Sequence, residues 1–376
     1  MSPGALRGCE LEIETPVEVG RAAGHHWFTT LHPFDSRHIV CAAAVADDRA
    51  QGRWPSVLYL SADSGRSWRE ALRLHYGPVS MPCGPRTRLL MPYEVWPSGP
   101  GQARHAQAQG YLLQLTDDSR LAAEEVPVKL GGFPRDLAPY NNDELCLLTN
   151  GNILPRQDGS LLTTVYGMYA GDTRYTLWAM SSRDQGRTWQ YLAEVARWQD
   201  LPEAPEGPDE SHSARLADGR LMCVYRVGSG NEHSYCASHS PDDGVTWSPP
   251  QALAGTWSVE PQLVCLEDGT LLLSGGRTGL FLWVCPEGDG RVWQPVNLGE
   301  HHNAALTDPA LHFPAAFCAA RGDAHASTSY TSMVSLGHGQ VLLSYDRLGN
   351  GWSGAPGPLG PHDIAFSVRL RARRTP

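Results

Sequence analysis

An all-β fold, a six-bladed β-propeller of four-stranded antiparallel blades, is predicted by three features of this 376-residue sequence. A short turn pattern recurs along the chain, a second hairpin pattern recurs between its copies, and strand-like apolar runs surround both. Radial repetition of this kind lets many short strands avoid long exposed edges. Because the repeats extend over almost the whole chain without a linker, we expect residues 1–376 to form a single domain.

The turn pattern has the form Ser-x-Asp-x-Gly-x-x-Trp. Its intact copies are Ser61-x-Asp63-x-Gly65-x-x-Trp68, Ser182-x-Asp184-x-Gly186-x-x-Trp189 and Ser240-x-Asp242-x-Gly244-x-x-Trp247, and a degraded copy, Gly290-x-x-Trp293, stands beside Asp289. The Asp can accept hydrogen bonds from turn amides, the Gly can adopt a positive φ, and the Trp can fold back onto the turn. Strand-like runs precede the copies, so each copy is predicted to join the last two strands of a small sheet.

The spacing of the four tryptophans predicts the number of blades. Trp68, Trp189, Trp247 and Trp293 are 121, 58 and 46 positions apart. A period of about 60 residues, with one unmarked blade between the first two copies, fits these distances, and six such units fill the chain. Strand-like residues 10–17 and 363–370 are candidates to share one blade.

The second pattern is an Asp-Gly hairpin followed by an apolar strand, as at Asp158-Gly159, Asp218-Gly219 and Asp268-Gly269, with a looser copy at Gly337-His338-Gly339. Asp-Gly between two strands is a strong hairpin signal. These hairpins are predicted to join the two inner strands of a blade. The ends of inner strands surround the central pocket of a propeller, so functional residues are sought there.

Composition excludes several classes of function. The net charge is −10, and the only dense basic stretch is a short arginine-rich C-terminal segment, so neither nucleic acid nor a membrane is expected as a partner. Nine cysteines without paired spacing predict free thiols in a reducing compartment, and the absence of a signal-peptide pattern predicts a cytoplasmic location. No metal or nucleotide motif is present, so no cofactor is expected. The oligomeric state is not predicted.

Glu210 and Arg226 are predicted to meet at one edge of a hairpin. Glu210 begins one strand, and Arg226, sixteen residues later, ends the next strand, with Asp218-Gly219 between them. Antiparallel neighbours bring these positions to the same edge of the sheet. The alternative is an ordinary surface ion pair across the hairpin.

Tyr330 and Arg277 occupy comparable positions on later strands. Tyr330 precedes a strand, a loose hairpin and a second strand that contains Tyr345, and Arg277 follows two glycines at the end of a strand. The alternatives are a tyrosine that only fills a strand end and an arginine stacked between blades.

Together these features resemble the sialidase superfamily of β-propellers, in which the turn pattern is called the Asp box or BNR repeat. The resemblance implies that Tyr330 is a nucleophile, that Glu210 removes its proton, and that Arg226 and Arg277 bind a substrate carboxylate. It also implies an acid/base carboxylate about twenty residues before the first Asp-box Trp, where Asp48 stands in the pair Asp47-Asp48. The alternative for this pair is a solvated turn.

The first blade departs from the family pattern. Sialidases carry an Arg there that completes a triad around the substrate carboxylate, whereas this chain has Gly24-His25-His26-Trp27-Phe28. His26 or its neighbour could partly replace that arginine. Polar clusters around Asn141, Asn150, His301 and Arg347 are further candidates for the rim of the pocket. The additional substrate-binding residues predicted on these grounds are His26, Trp27, Asp47, His301 and Arg347.

The leading hypothesis is an exo-acting retaining glycoside hydrolase that releases a terminal sialic acid or a related acidic sugar. A second hypothesis is an elimination reaction on a uronate-containing glycan, with Tyr330 or one of His25, His26, His301 and His302 as the base and acid. A third is a glycan-binding propeller without catalysis. The distance between Glu210 and Tyr330 discriminates, because a non-catalytic role does not require these side chains to form a hydrogen bond.

Overall fold

The computed structural model describes residues 6–48, 54–99, 101–139, 145–228, 233–319, 328–349, 352, 354–355 and 360–375. About half of these residues lie in short strands. In chain order the strands are β1 (Cys9–Ile13), β2 (Val17–Ala22), β3 (Trp27–Pro33), β4 (Ile39–Ala44), β5 (Pro55–Ser61), β6 (Arg69–His75), β7 (Val79–Gly84), β8 (Thr87–Met91), β9 (Glu94–Pro97), β10 (His105–Leu115), β11 (Leu121–Gly131), β12 (Leu147–Leu148), β13 (Leu154–Pro155), β14 (Leu161–Gly167), β15 (Thr176–Ser182), β16 (Thr188–Ala196), β17 (Ser211–Arg215), β18 (Leu221–Tyr225), β19 (Cys236–Ser240), β20 (Gln251–Ala252), β21 (Gln262–Cys265), β22 (Leu271–Gly275), β23 (Phe281–Cys285), β24 (Gln294–Asn297), β25 (Thr331–Gly337), β26 (Gln340–Leu348) and β27 (Asp363–Arg374).

Helical structure is confined to short segments. They are helix α1 (Leu298–Ala305), helix α2 (Ala315–Cys318) and the 3-10 turns Trp198–Asp200 and Pro309–Leu311. Helix α1 begins at an Asn297 cap, whose side-chain oxygen accepts a hydrogen bond from the backbone N–H of Glu300. Within the described ranges, no helix is long and apolar enough to cross a membrane.

The strands form six antiparallel blades, which confirms the predicted propeller. Blade 1 is β3 to β6, blade 4 is β17 to β20 and blade 5 is β21 to β24, each a separate four-stranded sheet. Blade 2 (β7, β8, β10 and β11, with β9) and blade 3 (β12 to β16) are joined into one ten-stranded sheet, because β11 pairs in parallel with β16 and β9 pairs with β12. Blade 2 is the unmarked blade that the tryptophan spacing predicted.

Blade 6 contains both ends of the chain. Its strands β25, β26 and β27 are consecutive, and the outer position is filled by β1 and β2, which both pair with β27. Glu10 lies opposite Arg373, and Val17 lies opposite Ser367. The predicted sharing of one blade by the two chain ends is therefore confirmed, and these pairings close the ring.

The Asp boxes join the third and fourth strands of their blades, as predicted. In the blade 3 copy, Asp184 Oδ1 accepts hydrogen bonds from the backbone N–H of Thr188 at 2.8 Å and from Ser182 Oγ at 2.9 Å. The Ser182 hydroxyl also accepts the Gly186 N–H at 2.9 Å, and Gly186 has a φ of 80°. The degraded copy keeps the turn, since Gly290 has a φ of 72° and its carbonyl accepts the indole N–H of Trp293 at 3.0 Å.

Each Asp-box glycine also lies against the second strand of the preceding blade. A Cβ atom added to Gly186 would lie 2.8 Å from Leu89 of β8, and one added to Gly244 would lie 2.8 Å from Leu162 of β14. The same relation holds for Gly65 with Leu342 of β26 and for Gly290 with Met222 of β18. The glycine thus serves both the turn and the close packing of neighbouring blades.

The inner strands surround the axis of the propeller. A cavity of about 380 Å³ is lined by residues of β3, β7, β13, β17, β21 and β25, one inner strand from each blade. Apolar clusters fill the spaces between blades, and the nine cysteines form no disulfide. Seven of these thiols are buried, as the sequence predicted.

Candidate active site

One face of the propeller collects the beginnings of the inner strands. In each blade the first strand begins at this face, the second strand returns to it, and the Asp box at the end of the third strand lies on the opposite face. Tyr330 directly precedes β25, Glu210 directly precedes β17, and Arg226 directly follows β18. Residues that are far apart in sequence therefore meet around the axis on the face away from the Asp boxes.

Tyr330 and Glu210 are in direct contact. The Tyr330 hydroxyl donates a hydrogen bond to Glu210 Oε1, and both side chains are buried, with relative exposures of 8% and 2%. Burial, followed by the negative charge of Glu210, raises the pKa of the Tyr330 phenol well above its ordinary value. The phenol is therefore protonated in the resting site, and Glu210 is the group positioned to take its proton.

Arg226 is surrounded by three carboxylates. Its Nε and Nη2 donate to Asp209, with Nη2 to Oδ2 at 2.9 Å, and Nη2 also donates to Glu206 at 3.1 Å. Its Nη1 lies 3.3 Å from Glu210 Oε2. The hairpin ladder continues between them, because the Arg226 N–H donates to the Glu210 carbonyl at 3.0 Å. The predicted proximity of Glu210 and Arg226 is present, but the guanidinium is engaged on all sides.

Glu260 is a second buried carboxyl group next to Glu210. Its backbone N–H donates to Glu210 Oε2 at 2.8 Å, and its own Oε2 accepts from Asn150 Nδ2 at 2.6 Å. Burial, and then the charge of Glu210, raise the pKa of Glu260 well above its ordinary value. Glu260 has a φ of 41°, a left-handed conformation that is uncommon for a side chain of this kind.

Asp48 and Arg277 also lie near Tyr330 and Glu210. The Asp48 side chain has access to solvent, but the protein atoms crowded around its carboxyl desolvate it and raise its pKa to about 6. The charge of Glu210 acts in the same direction, whereas Arg277 and Arg226 oppose it. The guanidinium carbon of Arg277 lies 6.0 Å from the centre of the Tyr330 ring. The structure therefore brings Asp48 and Arg277 into electrostatic contact with the Tyr330 and Glu210 pair.

Aromatic side chains form the wall next to Tyr330. The Phe28 ring lies 4.5 Å from the Tyr330 ring and stacks on Trp54 at 5.4 Å, and Trp54 in turn stacks on Tyr93 at 5.4 Å. Trp352 lies 4.4 Å from the guanidinium carbon of Arg277. Tyr93 and Trp352 are only partly buried.

Asp346 holds the segment that carries Tyr330. Its buried carboxylate accepts hydrogen bonds from the hydroxyl of Thr328 at 3.0 Å, from the backbone N–H and hydroxyl of Ser329, and from the Phe28 N–H at 3.0 Å. Burial raises the pKa of Asp346 to about 6, against these hydrogen bonds. Asp346 thereby connects blade 1 to blade 6 through the residues that directly precede Tyr330.

Four of the predicted substrate-binding residues lie elsewhere. His26 is 1% exposed, and it contacts Tyr59 through Nε2 at 3.3 Å. Trp27 is 0% exposed, and its indole N–H donates to the Ala46 carbonyl at 2.9 Å. Neither residue presents a surface to a ligand, which corrects the prediction from the first-blade segment. Trp27 instead anchors the loop that carries Asp47 and Asp48.

The other two corrections concern His301 and Arg347. His301 Nε2 contacts the carbonyl of Glu14, between β1 and β2, and so lies at the outer edge of blade 6. Arg347 donates to the carbonyls of Ala310 and His312 at 2.9 and 3.2 Å. Both side chains are used to hold neighbouring segments, not to bind around Tyr330. Asp47 is exposed beside Asp48, and its binding role stays a prediction.

The histidines of the elimination hypothesis do not join the cluster. His302 is buried in the core of blade 6, where it contacts the Tyr345 hydroxyl at 2.7 Å, and burial lowers its pKa to about 4. Burial also lowers the pKa of His26 to about 4. His25 stacks on Trp27 at 4.4 Å, and burial lowers its pKa. Of the predicted rim clusters, the one around Asn150 is at the site, and the one around Asn141 lies outside the described residues.

Sequence reasoning missed Glu260 and Glu206. Glu260 stands two residues before β21, at the place in blade 5 that Glu210 holds in blade 4 and Tyr330 holds in blade 6. Aligning the blades on their Asp-Gly hairpins would have pointed to it. Glu206 lies in an irregular segment, and no pattern in the sequence marks it. Within the described ranges, no group of three or more His, Cys, Asp or Glu side chains is arranged to hold a metal ion.

Comparisons with known proteins agree with this architecture. A model of the BNR repeat-like domain matches residues 132–343, more than half of the chain. No curated protein sequence matches the chain. Among solved structures, an α-L-arabinanase from Penicillium chrysogenum, complexed with arabinobiose, is 18% identical with a TM-score of 0.57, over 95% of this chain and 98% of that one.

Two further structures extend the comparison. The α-L-arabinofuranosidase Arb93A from Fusarium graminearum is 14% identical with a TM-score of 0.57, over 95% of this chain and 97% of that one. The K499G variant of the NanB sialidase from Streptococcus pneumoniae is 12% identical with a TM-score of 0.52, over 96% and 70%. These identities show a shared fold and leave the sugar unresolved. By its Asp boxes, its six blades and this family match, the chain belongs to the BNR repeat-like domain family and has the propeller fold of sialidases and arabinanases.

Proposed function

We propose that the protein is an exo-acting retaining glycoside hydrolase in which Tyr330 is the nucleophile. The observation that carries the proposal is the hydrogen bond between the Tyr330 hydroxyl and Glu210 in a buried site. A scaffold role does not require this contact. A tyrosine needs such a base because its phenol is otherwise protonated at neutral pH.

The proposed reaction has two steps. Tyr330 Oη attacks the anomeric carbon while its proton passes to Glu210 and the bond to the leaving oxygen breaks, and Asp48 gives that oxygen a proton. Water then attacks the anomeric carbon and gives a proton to Asp48, while Tyr330 departs and takes its proton back from Glu210. The pKa of Asp48, raised to about 6, suits a group that must both give and accept a proton.

The sugar remains the open part of this proposal. The sequence pattern favoured a terminal sialic acid or a related acidic sugar. The arabinanase and arabinofuranosidase with the same fold make a neutral furanoside a second candidate. The engagement of Arg226 by three carboxylates favours that second candidate.

The test is the initial rate of hydrolysis of 4-methylumbelliferyl α-sialoside and α-L-arabinofuranoside by the wild type and by Tyr330→Phe. We expect Tyr330→Phe to lower kcat by at least about 10³-fold on whichever glycoside is cleaved. Tyr345→Phe is the matched control, since Tyr345 is a buried tyrosine of the same blade that contacts His302 instead. Wild-type rates in the Tyr330→Phe variant, or inversion at the anomeric carbon observed by NMR, would contradict the proposal.

A further inference from the structure

The carboxylates around Arg226 leave it no free donor edge. Nε and Nη2 both bind Asp209, Nη2 is shared with Glu206, and Nη1 faces Glu210. A substrate carboxylate binds arginine best through two parallel N–H donors, and such an edge must be unpaired before the ligand arrives. To bind a substrate carboxylate, Arg226 would have to give up a contact that is already charge-assisted and buried.

Among the described residues of the first blade, we find no replacement cation beside Tyr330. At the place where the family pattern has an arginine, the described residues present Phe28, whose backbone N–H is held by Asp346 and Ser329 at 3.0 Å each. Its ring packs on Tyr330 and Trp54. His26, the nearest predicted substitute, is buried, and its pKa is lowered to about 4 by burial, so it is neutral at physiological pH. Blade 1 therefore contributes an apolar wall.

The remaining charges favour an uncharged ligand. In the described part of the site, the guanidiniums of Arg226 and Arg277 face the carboxyl groups of five acidic residues. These are Asp48, Glu206, Asp209, Glu210 and Glu260. Burial raises the pKa of Asp209 to about 8 and that of Glu260 well above its ordinary value. With both groups protonated, Asp48, Glu206 and Glu210 still outnumber the two guanidiniums at neutral pH, and a ligand carboxylate would add a further negative charge to the cluster.

From these contacts we infer that the site takes a terminal sugar without a carboxylate. This inference rests on the glycosidase function proposed above and names its substrate class. Tyr93 and Trp352 are partly exposed aromatic side chains near the site, a residue type that sugar-binding sites use. Asn150 Oδ1 has no hydrogen-bond partner among the described residues and is an acceptor that matches a sugar hydroxyl group. In such a site, Arg277 donates hydrogen bonds to hydroxyl oxygens of the sugar and stabilises the negative charge that develops on Tyr330 during the reaction.

The first experiment compares 4-methylumbelliferyl glycosides that share one leaving group. The acidic set is the α-sialoside and the β-glucuronide, and the neutral set is the α-L-arabinofuranoside, the β-glucoside and the α- and β-galactosides. The glucoside and glucuronide differ only in the carboxylate. We expect kcat/KM for the best neutral glycoside to exceed that of every acidic one by at least about 100-fold. A higher kcat/KM for the sialoside or the glucuronide would overturn the inference and leave the glycosidase function intact.

The second experiment measures binding without turnover. The probe is 2,3-didehydro-2-deoxy-N-acetylneuraminic acid, titrated by calorimetry into the wild type and into Glu206→Gln, which removes one of the carboxylates on Arg226. We expect negligible binding to the wild type and a dissociation constant at least about fivefold lower in Glu206→Gln. Asp218→Asn is the control, because it removes the same charge from the hairpin face of the same blade, where Asp218 pairs only with Arg220 among the described residues.

The outcomes separate the two proposals. Tight binding of this acidic probe to the wild type, or equal and measurable binding in both variants and the wild type, would overturn the inference whether or not any glycoside is cleaved. If neither the acidic nor the neutral set is cleaved and no neutral sugar binds, both the glycosidase function and its substrate class fail.

Discussion

At the scale of single residues, the surroundings of each carboxyl group in the site determine how far its pKa is raised. Asp48 reaches solvent and has a pKa raised only to about 6, whereas Glu260 is enclosed and its pKa is raised much further. Two carboxyl groups whose environments differ in this way suit different tasks. Asp48 can exchange a proton near neutral pH, and Glu260 is kept as a neutral hydrogen-bonding group beside Glu210.

The titration of Asp48 leads to a testable pH profile. As the proton donor, Asp48 must be protonated at the start of the reaction, so kcat/KM should fall as the pH rises through about 6. Asp48→Asn should remove this alkaline limb of the pH profile, and it should lower kcat/KM by about 10²- to 10⁴-fold on alkyl glycosides. The loss should be smaller on 4-nitrophenyl glycosides, whose leaving group needs less help from an acid.

Asp47→Asn is the control for that profile. The charge of Asp47 raises the pKa of Asp48, so its removal should move the limb to lower pH without abolishing it. An Asp48→Asn variant that retains the alkaline limb near pH 6 would show that another group donates the proton.

At the scale of elements, the Asp box connects a turn to the next blade. Its Asp and Ser satisfy the turn amides, and its Gly brings the backbone within reach of the preceding blade. Both functions require glycine. The turn requires it because φ is positive, and the contact between blades requires it because a Cβ atom would collide with a side chain of the preceding blade. Retention of Gly290 and Trp293 explains why the motif remains recognisable in blade 5, where Pro286 and Gly288 stand at the positions of its Ser and Asp.

Gly186 and Gly159 separate these two functions within blade 3. Their φ values are 80° and 82°, but a Cβ at Gly186 would lie 2.8 Å from Leu89, whereas nothing lies within 4 Å of one at Gly159. We expect Gly159→Ala to lower the free energy of unfolding by about 1–2 kcal/mol through backbone strain alone. Gly186→Ala should cost about 2–4 kcal/mol, because it adds overpacking against blade 2.

Urea denaturation, followed by tryptophan fluorescence, measures both variants under the same conditions. Equal losses of unfolding free energy would show that the contact between blades contributes nothing and that the glycine serves only the turn.

At the scale of the whole molecule, the chain closes its ring by pairing its two ends. Strands β1 and β2 complete blade 6 along β27, which pairs with β26, and β26 in turn pairs with β25, the strand that begins after Tyr330. Without them β27 would present a twelve-residue edge with unpaired backbone groups. Closure therefore supports both the stability of the ring and the position of blade 6 in the site.

Removal of residues 1–22 tests the closure. We expect the thermal midpoint to fall by about 10 °C or more and the protein to aggregate on heating, because an edge strand is exposed. A chain shortened by residues 1–5, which precede the described part, should keep the midpoint of the full chain. An unchanged midpoint after removal of residues 1–22 would mean that β1 and β2 contribute little to the ring.

The sequence determined the elements of this protein because their signals are local. Turn chemistry identified the Asp boxes, Asp-Gly identified the inner hairpins, and antiparallel pairing was enough to place Glu210 beside Arg226. Spacing alone gave the blade count, and the strand-like ends foretold the closure of blade 6. Tyr330 was found through its position before a strand and its likeness to a family.

Tertiary structure decided which polar groups are free to act. The engagement of Arg226 by Glu206 and Asp209, the burial of His26 and Trp27, and the meeting of Glu260 with Glu210 depend on how blades are placed around an axis. Local patterns carry no information on such placement, because desolvation and charge pairing arise between residues far apart in the sequence, such as Tyr330 and Glu210, which are 120 positions apart. The residues of the reaction could thus be proposed from the sequence, but the charge that the site accepts could be inferred only from the fold.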